Sequence, residues 1–265
     1  MKRWVFNTLI IVFAAVFLVS GGMLIYYFAS SRRQQALYDG VAALVQPPVA
    51  ETPDAPEAPS PYVEVTAPDG STKSVLRQYE KVYLRNPDLV GWIAIDGTKV
   101  NYPVVQTPDK PDYYLKRDFD GKSSRHGCIY AREACRIDPA SDNITLYGHH
   151  MRDGSMFAAL MDYRDKSFFE DHRYIRFDTL QHTQVYEVMA VFLTTASAGE
   201  GFDYHMFVDA GSQDEFDDFV ATSKSLSLYD TGVGAAWGDK LITLSTCEYS
   251  QANGRLVVVA KAIGE

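Results

Sequence analysis

Cysteine is scarce in this 265-residue chain, and its spacing excludes two common roles. The thiols are Cys128, Cys135 and Cys247, and an odd number cannot pair completely within one chain. No Cys-x-x-Cys or His-x-x-x-His spacing occurs, which argues against a structural zinc site. His149 and His150 are adjacent, and neighbouring strand positions face opposite sides, so they are a poor pair of ligands for one metal. We expect no metal and no other cofactor.

A concentrated basic patch is also lacking. The net charge is −9, and single Lys and Arg residues are scattered among Asp and Glu. A nucleic-acid partner needs clustered cations to neutralise phosphates, so we expect none. The 46% of hydrophobic residues is sufficient for a packed core, and the length allows one large domain or two small ones.

The N-terminal segment contains a long apolar run. No charged residue occurs from Trp4 to Ser31, and a helix needs about 20 such residues to cross the hydrocarbon layer. A cleaved signal peptide is the alternative, but its apolar region usually spans only roughly 7–15 residues. We therefore predict that residues 1–33 form a cytoplasmic tip and an uncleaved, single-pass anchor. The rest of the chain is then expected on the extracellular face of the cell membrane.

A proline-rich stretch follows the anchor. Seven of the 12 prolines lie between residues 47 and 68, among Glu, Asp, Ala and Thr. This composition cannot bury enough apolar surface to offset the entropy of ordering. We predict an extended, semi-rigid extracellular spacer over residues 34–72, which leaves residues 73–265 as the globular domain.

The globular part has mainly β texture. A helical spacing of apolar residues runs from Val75 to Tyr83, and a capping-box pair, Ser212 and Glu215, opens a predicted helix over 212–226. A shorter helix is predicted from Ser155. Short segments rich in β-branched and aromatic residues predict a barrel or sandwich with helical insertions. The predicted strands are 91–95, 100–105, 127–131, 143–148, 174–180, 184–195, 240–247 and 255–263.

The strongest chemical signal lies in the last two predicted strands. Cys247 ends the first of them, and Arg255 opens the second after a short polar loop. If these strands pair antiparallel, cross-strand neighbours lie within about 5.5 Å of each other. A fixed cation favours the thiolate, which is the reactive form of cysteine, and it can donate hydrogen bonds to an oxyanion. The pattern predicts an activated cysteine.

A histidine at another strand end supplies the predicted partner. His149 follows the segment NITLYG at 143–148. An imidazole exchanges protons near neutral pH, and cysteine nucleophiles commonly rely on one. His150 is the close rival, which we expect to lie behind His149 or in solvent.

These residues resemble the signature of the sortases. The matching parts are the TLSTC motif of Thr243–Cys247, the strand-opening Arg255, and the YGH of Tyr147–His149. The resemblance covers roughly residues 75–263, and within the family the sequence resembles class B in particular. Its class B segments are 86–106, 113–121, 147–160 and 244–250. One departure is the sequence Asp-Lys-Pro-Asp at 109–112, where class B members often carry Asp-Asn.

The resemblance implies a fold and a reaction. The fold is a closed sortase-type β-barrel of about eight strands, with an N-terminal helix and a helix inserted between strands 6 and 7. Cys247 would attack the Thr carbonyl of a sorting motif near the C-terminus of a secreted protein and form a thioester. His149 would protonate the leaving amine and deprotonate an incoming one, and Arg255 would steady the oxyanion or the peptide.

The resemblance also implies the partners and a substrate groove. The partners are the sorting-motif peptide of secreted surface proteins, an amine acceptor of the cell-wall precursor or a pilin Lys, and the membrane through the N-terminal helix. The implied groove residues are Leu115, Tyr147, Tyr204, Ser245, Thr246 and Glu248.

Two other functions stay open at this point. The same pair of residues would serve a cysteine peptidase that hydrolyses its intermediate, and an anchored binding module could carry an incidental thiol. Cys128 and Cys135 also have two readings, as an extracellular disulfide or as two core thiols.

Overall fold

A computed structural model describes residues 3–46, 60–66, 70–197, 199–250 and 252–264. The chain forms two compact units, Met1–Gly40 and Val41–Glu265. Helix α1 spans Arg3–Ala42 and is long and apolar enough to cross a membrane. The predicted anchor therefore lies within a helix, and that helix continues nine residues past position 33.

The described parts of the predicted spacer are not extended coil. Residues 34–42 continue α1, because their sequence QQALYDGVA holds good helix formers and no proline. Further on, β1 (Tyr62–Thr66) and β2 (Thr72–Leu76) form an antiparallel hairpin. Most of the predicted proline-rich stretch, residues 47–59, lies outside the described residues.

The predicted helix beginning at Val75 is wrong at its start. Val75 pairs with Val63 in the hairpin, a 3₁₀ turn follows over Arg77–Tyr79, and α2 spans only Glu80–Arg85. The apolar residues in this segment are spaced so that they can all be buried on one side. A strand followed by a helical turn produces this spacing as well as a continuous helix does.

The predicted short helix after His150 is also displaced. A 3₁₀ helix spans Ala158–Arg164, and α3 follows over Lys166–Asp171. Met156 has a φ of +57°, a left-handed conformation that a right-handed helix cannot include. The helix therefore begins after this residue instead of at Ser155.

Eight strands close into a barrel, which confirms the predicted fold class. The order around the barrel is β10-β8-β7-β3-β4-β5-β6-β9. The strands are β3 Leu89–Ala94, β4 Asn101–Val105, β5 Ile129–Ala131, β6 Asn143–Tyr147, β7 Tyr174–Thr179, β8 Val185–Thr195, β9 Leu241–Cys247 and β10 Gly254–Ile263. Their closure leaves no unpaired edge in the barrel.

The inserted helix lies where the resemblance implies it. Helix α4 spans Gln213–Leu226, between the sixth and seventh barrel strands. The Ser212 side chain accepts a hydrogen bond from the Glu215 N–H, and the Glu215 carboxylate accepts one from the Gly211 N–H. Phe216 and Phe219 are buried in a cluster with residues of β8, β9 and β10, so α4 is held by its apolar face.

Two strand pairings position the residues of interest. Strand β6 runs parallel to β9 with Tyr147 opposite Ser245, and β9 runs antiparallel to β10 with Cys247 directly opposite Arg255. His149 and Cys247 each lie two residues beyond the Tyr147–Ser245 pair. Because neighbouring parallel strands end at the same edge, these residues emerge together at one mouth of the barrel.

A buried carboxyl group in β7 predicts a pH effect on stability. Asp178 accepts a hydrogen bond from the Tyr79 hydroxyl at 2.5 Å, and burial raises its pKa above the ordinary 3.8. The folded state therefore keeps the proton to higher pH than the unfolded chain. The stabilisation by this group is present below the ordinary pKa and is lost as pH rises through the folded value.

Asp178→Asn is expected to remove this dependence. Relative to the wild type, the variant should gain stability as the pH rises above the ordinary pKa of an aspartate, measured as the free energy of unfolding in urea. Asp120→Asn is the matched control, because a hydrogen bond from Arg85 lowers the pKa of Asp120. Its stability relative to the wild type should change in the opposite direction. A change of the same sign in both variants would contradict the assignment.

Candidate active site

One small pocket of about 70 Å³ collects most of the predicted site residues. We call it the cysteine pocket. It brings together the three predicted catalytic residues, Cys247, His149 and Arg255, from three different strand ends. Its lining consists of Leu115, Cys128, Tyr130, Tyr147, Gly148, His149, Ser245, Thr246, Cys247 and Arg255.

Two of the predicted groove residues lie outside this lining. The Tyr204 hydroxyl shares a hydrogen bond of 2.7 Å with Ser245 Oγ, so Tyr204 supports a lining residue from behind. Glu248 is buried, and its carboxylate accepts hydrogen bonds from the N–H and the hydroxyl of Ser250. Both therefore lie next to the pocket and shape its surroundings.

Three lining residues were not predicted as part of the site, namely Cys128, Tyr130 and Gly148. A signal for two of them existed, because alternate positions of the predicted strand 127–131 share one face. Cys128 and Cys135 are both buried thiols, and no disulfide joins the cysteines, all of which lie in described segments. The structure thus has the core-thiol arrangement, with Cys128 at the pocket wall.

The Arg255 guanidinium is held by backbone carbonyls at the start of β10. Its Nη1 donates hydrogen bonds to the carbonyls of Asn253 at 3.2 Å and Gly254 at 2.9 Å. Asn253 has a φ of +54°, a conformation that asparagine tolerates better than most residues. The loop between β9 and β10 therefore restrains the cation at the mouth of the barrel, opposite the cysteine.

The Tyr204 phenol interacts electrostatically with both Arg255 and Cys247. Burial raises its pKa, the hydrogen bond from Ser245 and the Arg255 charge lower it, and Cys247 raises it. Burial is the largest of these causes, so the phenol stays neutral near pH 7. A neutral hydroxyl can donate to or accept from Ser245 without adding charge next to the sulfur.

The backbone around His149 fixes which ring nitrogen carries a proton. His149 Nε2 lies 2.7 Å from the Leu115 carbonyl oxygen. A carbonyl oxygen only accepts, so Nε2 must be the N–H donor of the neutral ring. Nδ1 is then the ring nitrogen whose lone pair is free to accept a proton.

Two glycines allow this close packing. A Cβ on Gly127 would lie 2.7 Å from the Leu115 carbonyl and 3.1 Å from His149 Cδ2, and Gly127 has a φ of +62°. A Cβ on Gly148 would lie 2.5 Å from the Ile129 side chain. A larger residue at position 127 would push on the imidazole or on its carbonyl acceptor, and one at position 148 would push on Ile129 and Phe157.

Strand pairing continues past the end of β6 and braces the histidine. The Gly148 N–H donates to the Ser245 carbonyl at 3.2 Å, and the Thr246 hydroxyl donates to the Gly148 carbonyl at 2.8 Å. Both bonds connect β9 to the residue before His149. The spacing between the histidine and the cysteine is therefore set by regular backbone geometry.

His150 has a different environment from His149. Its Nδ1 donates to the Cys247 carbonyl oxygen at 3.2 Å, and its ring stacks on Tyr249 with centroids 5.3 Å apart. The ring lines a neighbouring pocket and not the cysteine pocket. The adjacent histidines thus face two separate cavities.

The segment that departs from the class B pattern contacts the pocket wall. The Tyr130 hydroxyl donates to Asp112 Oδ1 at 2.7 Å, and Asp112 has a φ of +56°. Burial raises the pKa of Tyr130, and the neighbouring Asp112 raises it further. Asp112 therefore anchors the loop before Leu115 to the pocket.

Metal binding has no support in the described ranges. Within them, no group of three or more His, Cys, Asp or Glu side chains is arranged to hold an ion. The chemistry available at the site is that of a thiol, an imidazole and a guanidinium.

Comparison with known proteins identifies the family. A family model described as the sortase domain matches residues 93–263. Sortase B of Staphylococcus aureus is 36% identical over 188 residues, which cover 70% of this chain and 75% of that protein.

Solved structures agree with the sequence comparison. A Staphylococcus aureus sortase B–substrate complex has a TM-score of 0.73 at 30% identity, covering 89% of this chain and 98% of that one. A crystal structure of sortase B from B. anthracis has a TM-score of 0.72 at 30% identity, covering 90% of this chain and 100% of that one. The chain therefore belongs to the sortase family of cysteine transpeptidases and has class B members as its relatives.

Proposed function

We propose that this sortase is anchored in the cell membrane, cleaves a C-terminal sorting motif after Thr, and transfers the acyl group to an amine of the cell wall or to a pilin Lys. The observation that carries the proposal is the direct cross-strand pairing of Cys247 with Arg255, with His149 in the same pocket. A solved relative, the Staphylococcus aureus sortase B–substrate complex, supports a peptide substrate.

The first half of the reaction forms a thioester. The Cys247 thiolate attacks the carbonyl carbon of the Thr, and the Arg255 guanidinium stabilises the resulting oxyanion. The intermediate then expels the amine of the following residue as the C–N bond breaks. His149, protonated on Nδ1 as well as Nε2, donates its Nδ1 proton to that leaving amine.

The second half returns the enzyme to its starting state. An acceptor amine forms a bond to the thioester carbon, the C–S bond breaks, and the sulfur leaves as a thiolate. His149 Nδ1 takes the surplus proton from the nitrogen. The hydrogen bond from Nε2 to the Leu115 carbonyl is maintained in both protonation states, so the ring keeps its orientation throughout.

The groove residues divide into contacts and supports in this proposal. Leu115, Tyr147, Ser245 and Thr246 line the cysteine pocket and would contact the sorting peptide. Tyr204 would act through its hydrogen bond to Ser245, and Glu248 by ordering the loop after Cys247 through Ser250.

Helix α1 supports the proposed location. It is long and apolar enough to cross a bilayer once, and the proposed substrates favour a barrel on the extracellular face. Secreted proteins and cell-wall amines are accessible on that side. The proposed organisation keeps the anchor at residues 1–33 and the catalytic domain at 73–265, and it treats 34–72 as a connecting segment that contains the end of α1 and strand β1.

Mass spectrometry of the acyl-enzyme tests the proposal. The protein is incubated with a small library of sorting-motif peptides, with and without an amine acceptor. We expect a thioester on Cys247 and a ligated product that forms only when the amine is present. Cleavage that proceeds equally without an acceptor and never yields ligated product would favour a cysteine peptidase instead.

A further inference from the structure

A second cavity adjoins the catalytic mouth on the His150 side. We call it the His150 pocket, and its volume is about 630 Å³. It is formed by the turn between β3 and β4, the loop after His150, and the 3₁₀ helix with the start of α3. Its lining consists of Gly97, Thr98, Lys99, His150, Met151, Arg152, Gly154, Ala158, Ala159, Met161, Asp162 and Phe168.

The two pockets meet at the His149–His150 peptide. His149 lines the cysteine pocket and His150 lines the other. The His150 ring is also hydrogen-bonded to the Cys247 carbonyl, so it lies beside the residue that would carry the thioester. The His150 pocket therefore adjoins the residue that would carry the acyl group.

The charges around the His150 pocket favour an anionic ligand. Its lining contains two cationic side chains, Lys99 and Arg152, and one carboxylate, Asp162. Lys99 Nζ donates to the Asp153 carbonyl oxygen at 3.0 Å, which restrains the ammonium and leaves its other hydrogens available. Arg152 is exposed, and in the described ranges no hydrogen bond or ion pair occupies its guanidinium.

The floor of the pocket is apolar. Met151, Met161 and Phe168 contribute side chains that are partly buried. Such a surface suits the aliphatic part of a peptide, and the cations at the rim suit a carboxylate. The sorting peptide is proposed to occupy the cysteine pocket, so the ligand of this second cavity is the other substrate.

We propose that the His150 pocket binds the amine acceptor, and that Lys99 and Arg152 select acceptors that carry a free carboxylate. This inference rests on the proposed transpeptidase function and deepens it. The acceptor nitrogen bonds to the thioester carbon, the C–S bond breaks, and His149 Nδ1 takes the proton. Lys99 and Arg152 hold the carboxylate and take no part in the proton transfer.

Matched acceptor pairs test the proposal on the full chain. The probes are triglycine against triglycinamide, and lysine against lysinamide, each with a preformed thioester. The wild type is expected to use the free acid with a higher kcat/KM than the amide in at least one pair. The double variant Lys99→Glu/Arg152→Glu should lose or invert that preference, with a fall of about tenfold for the acid, because each exposed charge pair contributes a factor of about two to five.

The rate of thioester formation is the second readout. It should stay within about twofold of the wild type in the double variant, because these charges lie outside the cysteine pocket and act weakly through solvent. Lys81→Glu, on the exposed side of α2, is the control for a general charge effect. It should keep the wild-type preference for the acid.

Three results would overturn the inference. The first is that the wild type uses the acid and the amide equally well. The second is that the double variant keeps the wild-type preference for the acid. The third is that none of the four probes reacts with the thioester, which is then only hydrolysed. A wild-type protein that forms no thioester would instead count against the proposed function, so the two failures are distinguishable.

Discussion

Replacement of Cys247 by alanine is expected to abolish thioester formation and to lower turnover of a sorting peptide by at least about 10⁴-fold. In the proposed mechanism the sulfur forms the covalent bond to the acyl group, and no neighbouring side chain in the cysteine pocket occupies its place opposite Arg255. Intact-mass measurement of trapped acyl-enzyme, together with product formation by chromatography, checks the result.

Cys135→Ala is the matched control for that experiment. Cys135 is buried away from the pocket lining, and burial raises the pKa of its thiol, which disfavours the reactive thiolate. This variant should form the acyl-enzyme at about the wild-type rate. Persistent turnover in Cys247→Ala would contradict the assignment of the nucleophile.

Replacement of His149 by alanine is expected to lower the rate of acylation by about 10²–10⁴-fold, the usual contribution of a general acid–base group. The ring is held by the Leu115 carbonyl at one nitrogen, so only Nδ1 can serve the leaving amine. Single-turnover acylation with a sorting-motif peptide measures the loss.

His182→Ala provides the control, because His182 lies in the turn between β7 and β8 and lines neither pocket. It should acylate like the wild type. A wild-type acylation rate in His149→Ala, combined with loss in His150→Ala, would transfer the acid–base role to His150.

Much of the fold is predictable because its strands carry their own local signal. All eight predicted strand segments overlap barrel strands, since each combines β-branched or aromatic residues with flanking turn residues. Helix α4 was predictable from the Ser212–Glu215 capping box. The helix predicted from Val75 was wrong at its start because the spacing of apolar residues indicates which positions are buried. A hairpin that continues into a helical turn buries the same positions as a helix would.

Some features of the candidate site could likewise be predicted from the sequence, and others could not. Cys247 and Arg255 belong to one hairpin, so local pairing was enough to predict their proximity. The Leu115 carbonyl that holds His149 could not be predicted, because a backbone acceptor leaves no trace in residue type. The same holds for the wall formed by Tyr130 and Asp112, which depends on a loop that departs from the class B pattern.

The parallel pairing of β6 and β9 has a consequence for how this enzyme can diversify. Tyr147 lies opposite Ser245, and the proposed acid–base residue His149 and the proposed nucleophile Cys247 each follow two residues later. The chain between them, which includes α4, can therefore gain or lose residues without moving one group relative to the other. Changes in acceptor and peptide preference can accumulate in these connections while the reactive pair stays in register.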